Sequence, residues 1–452
     1  MNTSFFGELL QTISERGRAL LARDRRGEAS ARSGSLVELC EGLLSGRGEA
    51  SGVALAREIL GRYATLTIGP RIAFFEALVE RFGTDPARLD QAIVAWREHP
   101  SDASAAEVHF ASEPRRQELF RRLNLAPGGT AALVRMREQL MDVLEHRDDL
   151  RVVDSDFVHL FSSWFNRGFL VLRRIDWSTP AIVLEKIIRY EAVHEIRDWD
   201  DLRRRIDAPD RRCYAFFHPA LVDEPLIFVE VALTRDIPGA IAPILSKDRE
   251  TVEIDKARTA TFYSISNCQR GLTGVSFGNF LIKQVVEEVS REMPRLSTFV
   301  TLSPVTNFAE WLKRERGQEK SAALSEADKT VLTVLDQPVW WRNAEIAEQV
   351  QDTVMRAAAW YYVRARNARG TPIDTVARFH LGNGARLERI NWLADTSDRA
   401  MAQAYGLMVN YLYDLDEIEK NHEAYADSRT VVASGTVQRL LRPPLELVPI
   451  AG

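Results

Sequence analysis

TATFYSISNCQRGLTGVSFGNFLIKQVVEEVSREM, residues 259–293, changes texture twice. It begins as an apolar, partly β-branched run that reads as a strand. Three glycines follow, Gly271, Gly274 and Gly278, within the loop 269–281. A helix then places Phe280, Leu281, Val285, Val286 and Val289 on one buried side. The next stretch, STFVTLSPVTNFAEWL at 297–312, repeats this grammar. Phe299, Val300 and Leu302 make a core strand, Ser303-Pro304 makes a corner, and Phe308, Trp311 and Leu312 recur at helical spacing behind Thr306 or Asn307 as the N-cap. Strand, glycine loop, helix and strand in succession call for a layered α/β or α+β fold.

The pattern extends outward on both sides. RRCYAFFHPALVDEPLIFVEVALT reads as two strands joined at a Val-Asp-Glu-Pro turn, and NAEIAEQVQDTVMRAAAWYYVRAR as a long helix. Before residue 165 no strand-like segment interrupts a series of amphipathic helices. GPRIAFFEALVERFG puts Ile72, Phe75, Leu78 and Val79 on one stripe, and DPARLDQAIVAWREH does the same with Leu89, Ile93 and Val94. The texture changes near SSWFNRGFLVLRRIDW, residues 162–177. A chain of 452 residues exceeds one core, so two domains are expected: a helical bundle at 1–165 and a mixed α/β domain at 166–452.

A net charge of −5 argues against a dedicated nucleic-acid binder, which would carry a basic face. Cys40, Cys213 and Cys268 lie too far apart for a CxxC knuckle or a disulfide framework. No apolar run approaches the length that spans a bilayer, and the N-terminal segment mixes acids with bases. The expectation is a reduced, cytoplasmic protein that binds neither membrane nor nucleic acid.

Three stretches can carry chemistry. In QRGLTGVSFGNFL the glycines free backbone N–H groups to face an anion such as a pyrophosphate, with a helix N-terminus behind them. The spacing is neither G-x-G-x-x-G nor a Walker A, and the same glycines serve equally for a plain β–α connection. Ser303 stands at a strand end, where α/β folds hold reactive groups, although a Ser-Pro corner is also an ordinary turn. In RFHLGNGARLERINWLADTS, His380 precedes a Gly-Asn-Gly turn, and a helix with Ile390, Trp392 and Leu393 is expected after it. A loop histidine suits proton transfer. His194, His218 and His422 form no metal-ligand spacing with it, so no metal site is expected. Tyr411 and Tyr413 of GLMVNYLYDLDE read as core aromatics.

FYSISNCQRGLTGVSFGNFLIKQVVEEV, LSPVTNFAEWL, HLGNGARLERINWLAD and GLMVNYLYDLDE together resemble the malonyl-CoA decarboxylase family, in order and at suitable intervals. The likeness covers roughly residues 160–440 and is looser before them. It implies an N-terminal helical oligomerisation domain and a catalytic domain of GNAT (acetyltransferase) type. It places the CoA pyrophosphate on Thr273, Gly274, Val275, Ser276, Phe277, Gly278 and Asn279, and the reacting groups on Ser303, His380 and Tyr413. It implies malonyl-CoA and acetyl-CoA as ligands, CoA being part of the substrate and no further cofactor being needed. It also implies a homo-oligomer, a tetramer built as a dimer of dimers. Animal members carry a glutamate in GVELG where this chain has Ser276, so a catalytic role for that glutamate does not transfer. Two rival readings share the fold: an acyl-CoA N-acyltransferase, which needs an amine acceptor, and a non-catalytic CoA-binding protein.

Overall fold

Ser35 opens the first described helix by accepting the Glu38 N–H, while the Glu38 carboxylate takes the N–H of Ser35. The structure, a computed structural model, describes residues 35–45, 48–275 and 281–441. Similar local rules set the helices that follow. They are α1 (Leu36–Leu44), α2 (Glu49–Ala64), α3 (Ile68–Glu80), α4 (Pro86–Glu98), α5 (Asp102–Ser112), α6 (Arg115–Asn124), α7 (Gly129–Met141) and α8 (Arg151–Trp164). Asp85 caps α4 through the N–H groups of Ala87 and Arg88, with Pro86 at the first helical position.

The chain divides into two compact units. The first comprises the described residues of Met1–Leu170, His218–Asp223 and Gln269–Phe277. Its core holds Phe74, Phe75, Leu78, Phe82, Phe120, Phe157 and Phe161, and the Phe120 and Phe157 rings stack at 4.2 Å. A buried Arg116–Asp156 pair crosses this core, and Gln117 donates to the second carboxylate oxygen at 2.5 Å. On α3 the buried face is Phe74, Phe75 and Leu78; Ile72 and Val79 are only partly covered. On α4 no residue of the expected stripe is fully buried: Leu89 and Ile93 are partly covered and Val94 is 50% exposed. Helical periodicity marks an apolar face; it does not say what covers it.

The second unit is built on an eight-stranded mixed sheet in the order β1-β2-β3-β4-β5-β8-β6, with β7 paired to β8. The strands are β1 (Val171–Arg174), β2 (Arg211–Phe217), β3 (Pro225–Thr234), β4 (Thr259–Asn267), β5 (Thr298–Thr301), β6 (Ser303–Pro304), β7 (Arg386–Asn391) and β8 (Met408–Leu412). Among these, β4 and β5 run parallel and the remaining pairs are antiparallel. The parallel step requires a crossover, supplied by α9 (Leu281–Glu292), which buries Leu281, Ile282, Val285, Val286 and Val289.

One feature of this sheet makes room for a site. β4 and β5 pair only from Thr259↔Thr298 to Phe262↔Thr301. β4 continues to Asn267, while the chain after Thr301 turns to pair with β8 at Ser303↔Val409. A bulge at Tyr263 on β4, opposite the Glu230–Val231 step of β3, adds twist where the strands part. The same unit holds α10 (Phe308–Gly317), α11 (Ala344–Val363) and α12 (Thr375–Gly382), of which α12 lines the cleft between those strands. The fold class read from the sequence, an all-helical N-terminal part followed by a mixed α/β domain, is the one observed among the described residues. Among the described residues no helix is long and apolar enough to cross a membrane.

Two local expectations are corrected. The segment after the Gly-Asn-Gly turn is strand β7, paired antiparallel to β8, and not a helix; a register shift between Leu387 and Arg389 hides its two-residue alternation. Leu387 and Ile390 then fall three apart and imitate a helical stripe. His380 lies in the last turn of α12 and not in a loop.

Candidate active site

Ser303, His380 and Tyr413 meet at the wall of the cleft. Ser303 Oγ lies 3.2 Å from His380 Nε2, and Tyr413 Oη lies 2.8 Å from His380 Nδ1. Each comes from a different element for a local reason. Ser303 is fixed by its backbone pairing to Val409 on β8. His380 is carried by α12, whose first turn is capped by the buried Asp374 carboxylate accepting the Ala377 N–H at 2.7 Å. Gly384, at φ +80°, ends that segment; a Cβ there would meet the Ile418 carbonyl oxygen at 2.1 Å. Tyr413 follows β8, with its N–H held by the Phe299 carbonyl at 2.8 Å.

The network fixes which atom carries which proton. The Ser303 hydroxyl donates to Thr301 Oγ1 at 2.9 Å, and the same Thr301 oxygen accepts the Tyr411 N–H at 3.2 Å. With its hydrogen committed there, Ser303 Oγ accepts from His380 Nε2–H, leaving Nδ1 to accept from Tyr413. His380 is 2% exposed, and burial alone pushes its pKa down to about 3, so the imidazole is neutral at physiological pH. The Tyr411 ring stacks on it at 4.5 Å, closing that face to water. Burial likewise drives the Tyr413 hydroxyl well above the ordinary range of a phenol.

A cavity of about 290 Å³ opens beside this chain of hydrogen bonds. Its walls are Ile227, Phe262, Ile265, Val376 and Phe379, with Ser303, His380, Thr375 and Asn267 as polar points. No charged residue lines it among the described residues. Such a space suits an apolar or neutral portion of a ligand. Among the described residues no group of three or more His, Cys, Asp or Glu is placed to hold a metal ion.

The glycine loop is described only in part. Ser276, Phe277, Gly278 and Asn279 lie outside the described residues, as does Phe280. Gly271 has a packing reason that the sequence did not disclose: a Cβ there would meet the Val134 carbonyl oxygen at 2.1 Å. Arg137 of α7 donates to the Gly271 carbonyl at 2.8 Å. Gly274 takes φ +79°, a turn conformation natural to glycine, between Thr273 and the buried Val275. Thr301, Tyr411 and Asp374 were not singled out beside Ser303 and His380 from the sequence, because their parts depend on contacts between distant strands and helices.

A buried, uncharged serine–histidine–tyrosine chain at an uncharged cavity is equipment for moving a proton in a water-poor site. Family profiles described as the malonyl-CoA decarboxylase C-terminal domain and N-terminal domain match residues 168–449 and 82–165. Crystal structures of malonyl-CoA decarboxylases from Rhodopseudomonas palustris and Agrobacterium vitis are similar over most of the chain. The first is 58% identical, covering 89% of this chain and 98% of that one, with a TM-score of 0.86. The second is 56% identical, covering 91% and 100%, with a TM-score of 0.87. The mitochondrial malonyl-CoA decarboxylase of Anser anser anser is 36% identical over 413 residues, 84% of this chain and 82% of its own length. This chain belongs to the malonyl-CoA decarboxylase family.

Proposed function

We propose that this protein decarboxylates malonyl-CoA to acetyl-CoA and CO2, with Ser303, His380 and Tyr413 as the proton-handling chain. The observation that carries the mechanism is the hydrogen-bonded Ser303–His380–Tyr413 line at the uncharged cavity. The C–C bond to the carboxylate breaks, CO2 departs, and the electron pair delocalises from C2 into the thioester as an enolate. The Ser303 hydroxyl turns from Thr301 to C2 and delivers its proton. His380 Nε2–H holds the resulting Ser303 alkoxide by a hydrogen bond, and a proton from solvent entering the cavity as product leaves restores the hydroxyl, so His380 and Tyr413 end the cycle in the protonation states in which they began. The net change is the uptake of one proton. His380 takes part as a neutral imidazole, because burial disfavours the cation.

An uncharged wall also favours the bond cleavage. A carboxylate that meets no arginine or lysine is less well stabilised than in water, whereas neutral CO2 loses nothing. The thioester supplies the electron sink itself, so the reaction requires neither a metal nor an organic cofactor. The loop Thr273–Asn279 holds the CoA pyrophosphate in this reading, which rests on the family resemblance and on the positive φ of Gly274.

The helical unit serves assembly into a homotetramer. Its support is the apolar surface left on the α4–α5 pair, where Val94, Trp96 and Phe110 are 50%, 44% and 56% exposed. A cytoplasmic setting is supported by the three free, buried thiols of Cys40, Cys213 and Cys268. The deciding assay supplies malonyl-CoA in chelator-treated buffer with no amine present. Acetyl-CoA and CO2 should form in equal amounts; turnover only when an amine is added would make the chain an N-acyltransferase. Sedimentation at micromolar concentration should show a tetramer, and a fully active monomer would overturn the assembly.

A further inference from the structure

The two reacting side chains come from elements far apart in sequence, and one buried carboxylate ties those elements together. Asp374 is 1% exposed and stands one residue before α12. One carboxylate oxygen accepts the Ala377 N–H at 2.7 Å, inside the first turn of the helix that carries His380. The other accepts the Thr306 N–H and the Thr306 hydroxyl, each at 2.8 Å, three residues after Ser303. The Thr306 carbonyl is taken by the Tyr361 hydroxyl at 2.7 Å, which anchors the corner to α11. Asp374 thus bonds at once to the segment after the reacting serine and to the helix of the reacting histidine.

We infer that Asp374, with Thr306, is a positioning residue that sets the separation of Ser303 and His380. This rests on the reading of those two as the reacting pair. A helix cap would need only the Ala377 bond, and any of several residues could supply it. The second oxygen, committed to both polar groups of Thr306, is what a cap alone does not explain. Asparagine in place of Asp374 keeps one acceptor oxygen but offers its NH2 where an acceptor is needed. One of the two segments is then released. A displacement on the order of 1 Å between reacting groups costs about 10²-fold in rate.

The test is a double-mutant cycle on the full-length protein, with kcat, KM for malonyl-CoA and melting temperature read for each variant. Asp374→Asn should lower kcat by roughly 10- to 100-fold and leave KM within about twofold, since the CoA handle is not involved. In a His380→Asn background the same substitution should lower kcat no further, while its effect on melting temperature should persist. A positioning residue acts through the histidine and a purely structural one does not. Thr306→Val, which keeps the backbone bond and removes only the hydroxyl, should lower kcat by about threefold to tenfold on the same argument; if Asp374→Asn does not fold, this variant takes its place in the cycle. A kcat loss that survives undiminished in the His380→Asn background overturns the inference, as does a folded variant with unchanged kcat. If instead His380→Asn alone retains full kcat, the reading of the reacting pair fails.

Discussion

Two buried polar clusters share the second unit, and they are opposite in kind. One is the Ser303–His380–Tyr413 chain, all neutral, at the wall of a cavity. The other is charged. Glu230 on β3 is fully buried and accepts from Arg205 at 3.1 Å. Glu191 accepts the Val193 and His194 N–H groups and the hydroxyls of Ser264 and Ser266. Arg205 also donates to the carbonyls of His194 and Glu195. Burial pushes the Glu230 carboxyl up and the Arg205 guanidinium beside it opposes that rise, the kind of perturbed carboxylate a search for active groups would choose first. Neither Glu191, Glu230 nor Arg205 lines the 290 Å³ cavity. The charged cluster ties β3 to the segment 191–195, with Arg205 also facing a neighbouring cavity of about 420 Å³, and the neutral cluster lies at a cavity without charged walls. On the proposed function, a cation in that uncharged cavity would hold the malonyl carboxylate in place and oppose its loss as CO2.

The largest expected effect breaks the neutral cluster. His380→Asn should cut kcat by about 10² to 10⁴, the range for a lost proton-transfer group, with CoA affinity retained. Ser303→Ala should act in the same way, and the double variant should lose little more than the worse single one. Rate and CoA binding, with folding checked by circular dichroism, decide the matter. Near-normal kcat in both folded variants would return Ser303 to a turn and His380 to the core.

The charged cluster should fail along a different axis. Arg205→Met leaves Glu230 buried without its cation, a change that typically destabilises by about 3–5 kcal/mol. Denaturant unfolding should show that loss, while the folded fraction keeps its kcat within about twofold. A kcat loss in a variant of unchanged stability would place the charged cluster in the reaction and erase the contrast.

The two clusters also differ in how well the sequence disclosed them. The Ser303 corner is legible because strand and helix grammar are both local: Phe299, Val300 and Leu302 form an apolar, partly β-branched run that reads as a buried strand, and Phe308, Trp311 and Leu312 repeat at helical spacing. Asn307 is indeed the residue before that helix, but at φ +60° its side chain makes no cap, and Thr306 is engaged by Asp374 instead. His380 was visible only as a titratable group near glycines. Its helical setting was hidden because Asp374, the capping signal, also reads as part of a loop. The bulge in β7 concealed a strand. Tyr413 entered through resemblance, since nothing in its spacing separates it from Tyr411, which stacks on the same imidazole. Gly271 was read with an anion loop, yet close packing against Val134 is reason enough for it. The charged cluster was not read at all: Glu191, Arg205 and Glu230 are far apart in the chain, and only the sheet brings them together.

The smallest expected effect is the sharpest on mechanism. Burial lowers His380 from its ordinary 6.5 to about 3, and no neighbouring charge is needed to account for it. Between those values the unfolded chain binds a proton at this site and the folded protein does not. The stability this group contributes is therefore fully present above pH 6.5 and lost as pH falls through that window toward 3. His194, lowered by burial to about 4, adds to the same acid sensitivity. For catalysis the consequence is a flat profile. If the neutral imidazole is the working form, kcat should change by less than about twofold between pH 6 and 8, since its population is constant there. If the imidazolium were the donor, its population, and kcat with it, would fall about tenfold per pH unit above the pKa. Single-turnover decarboxylation across that range separates the two, provided chemistry and not CoA release is being timed. A steep decline toward pH 8 would mean that substrate binding brings a charge to His380 that the free cavity does not possess.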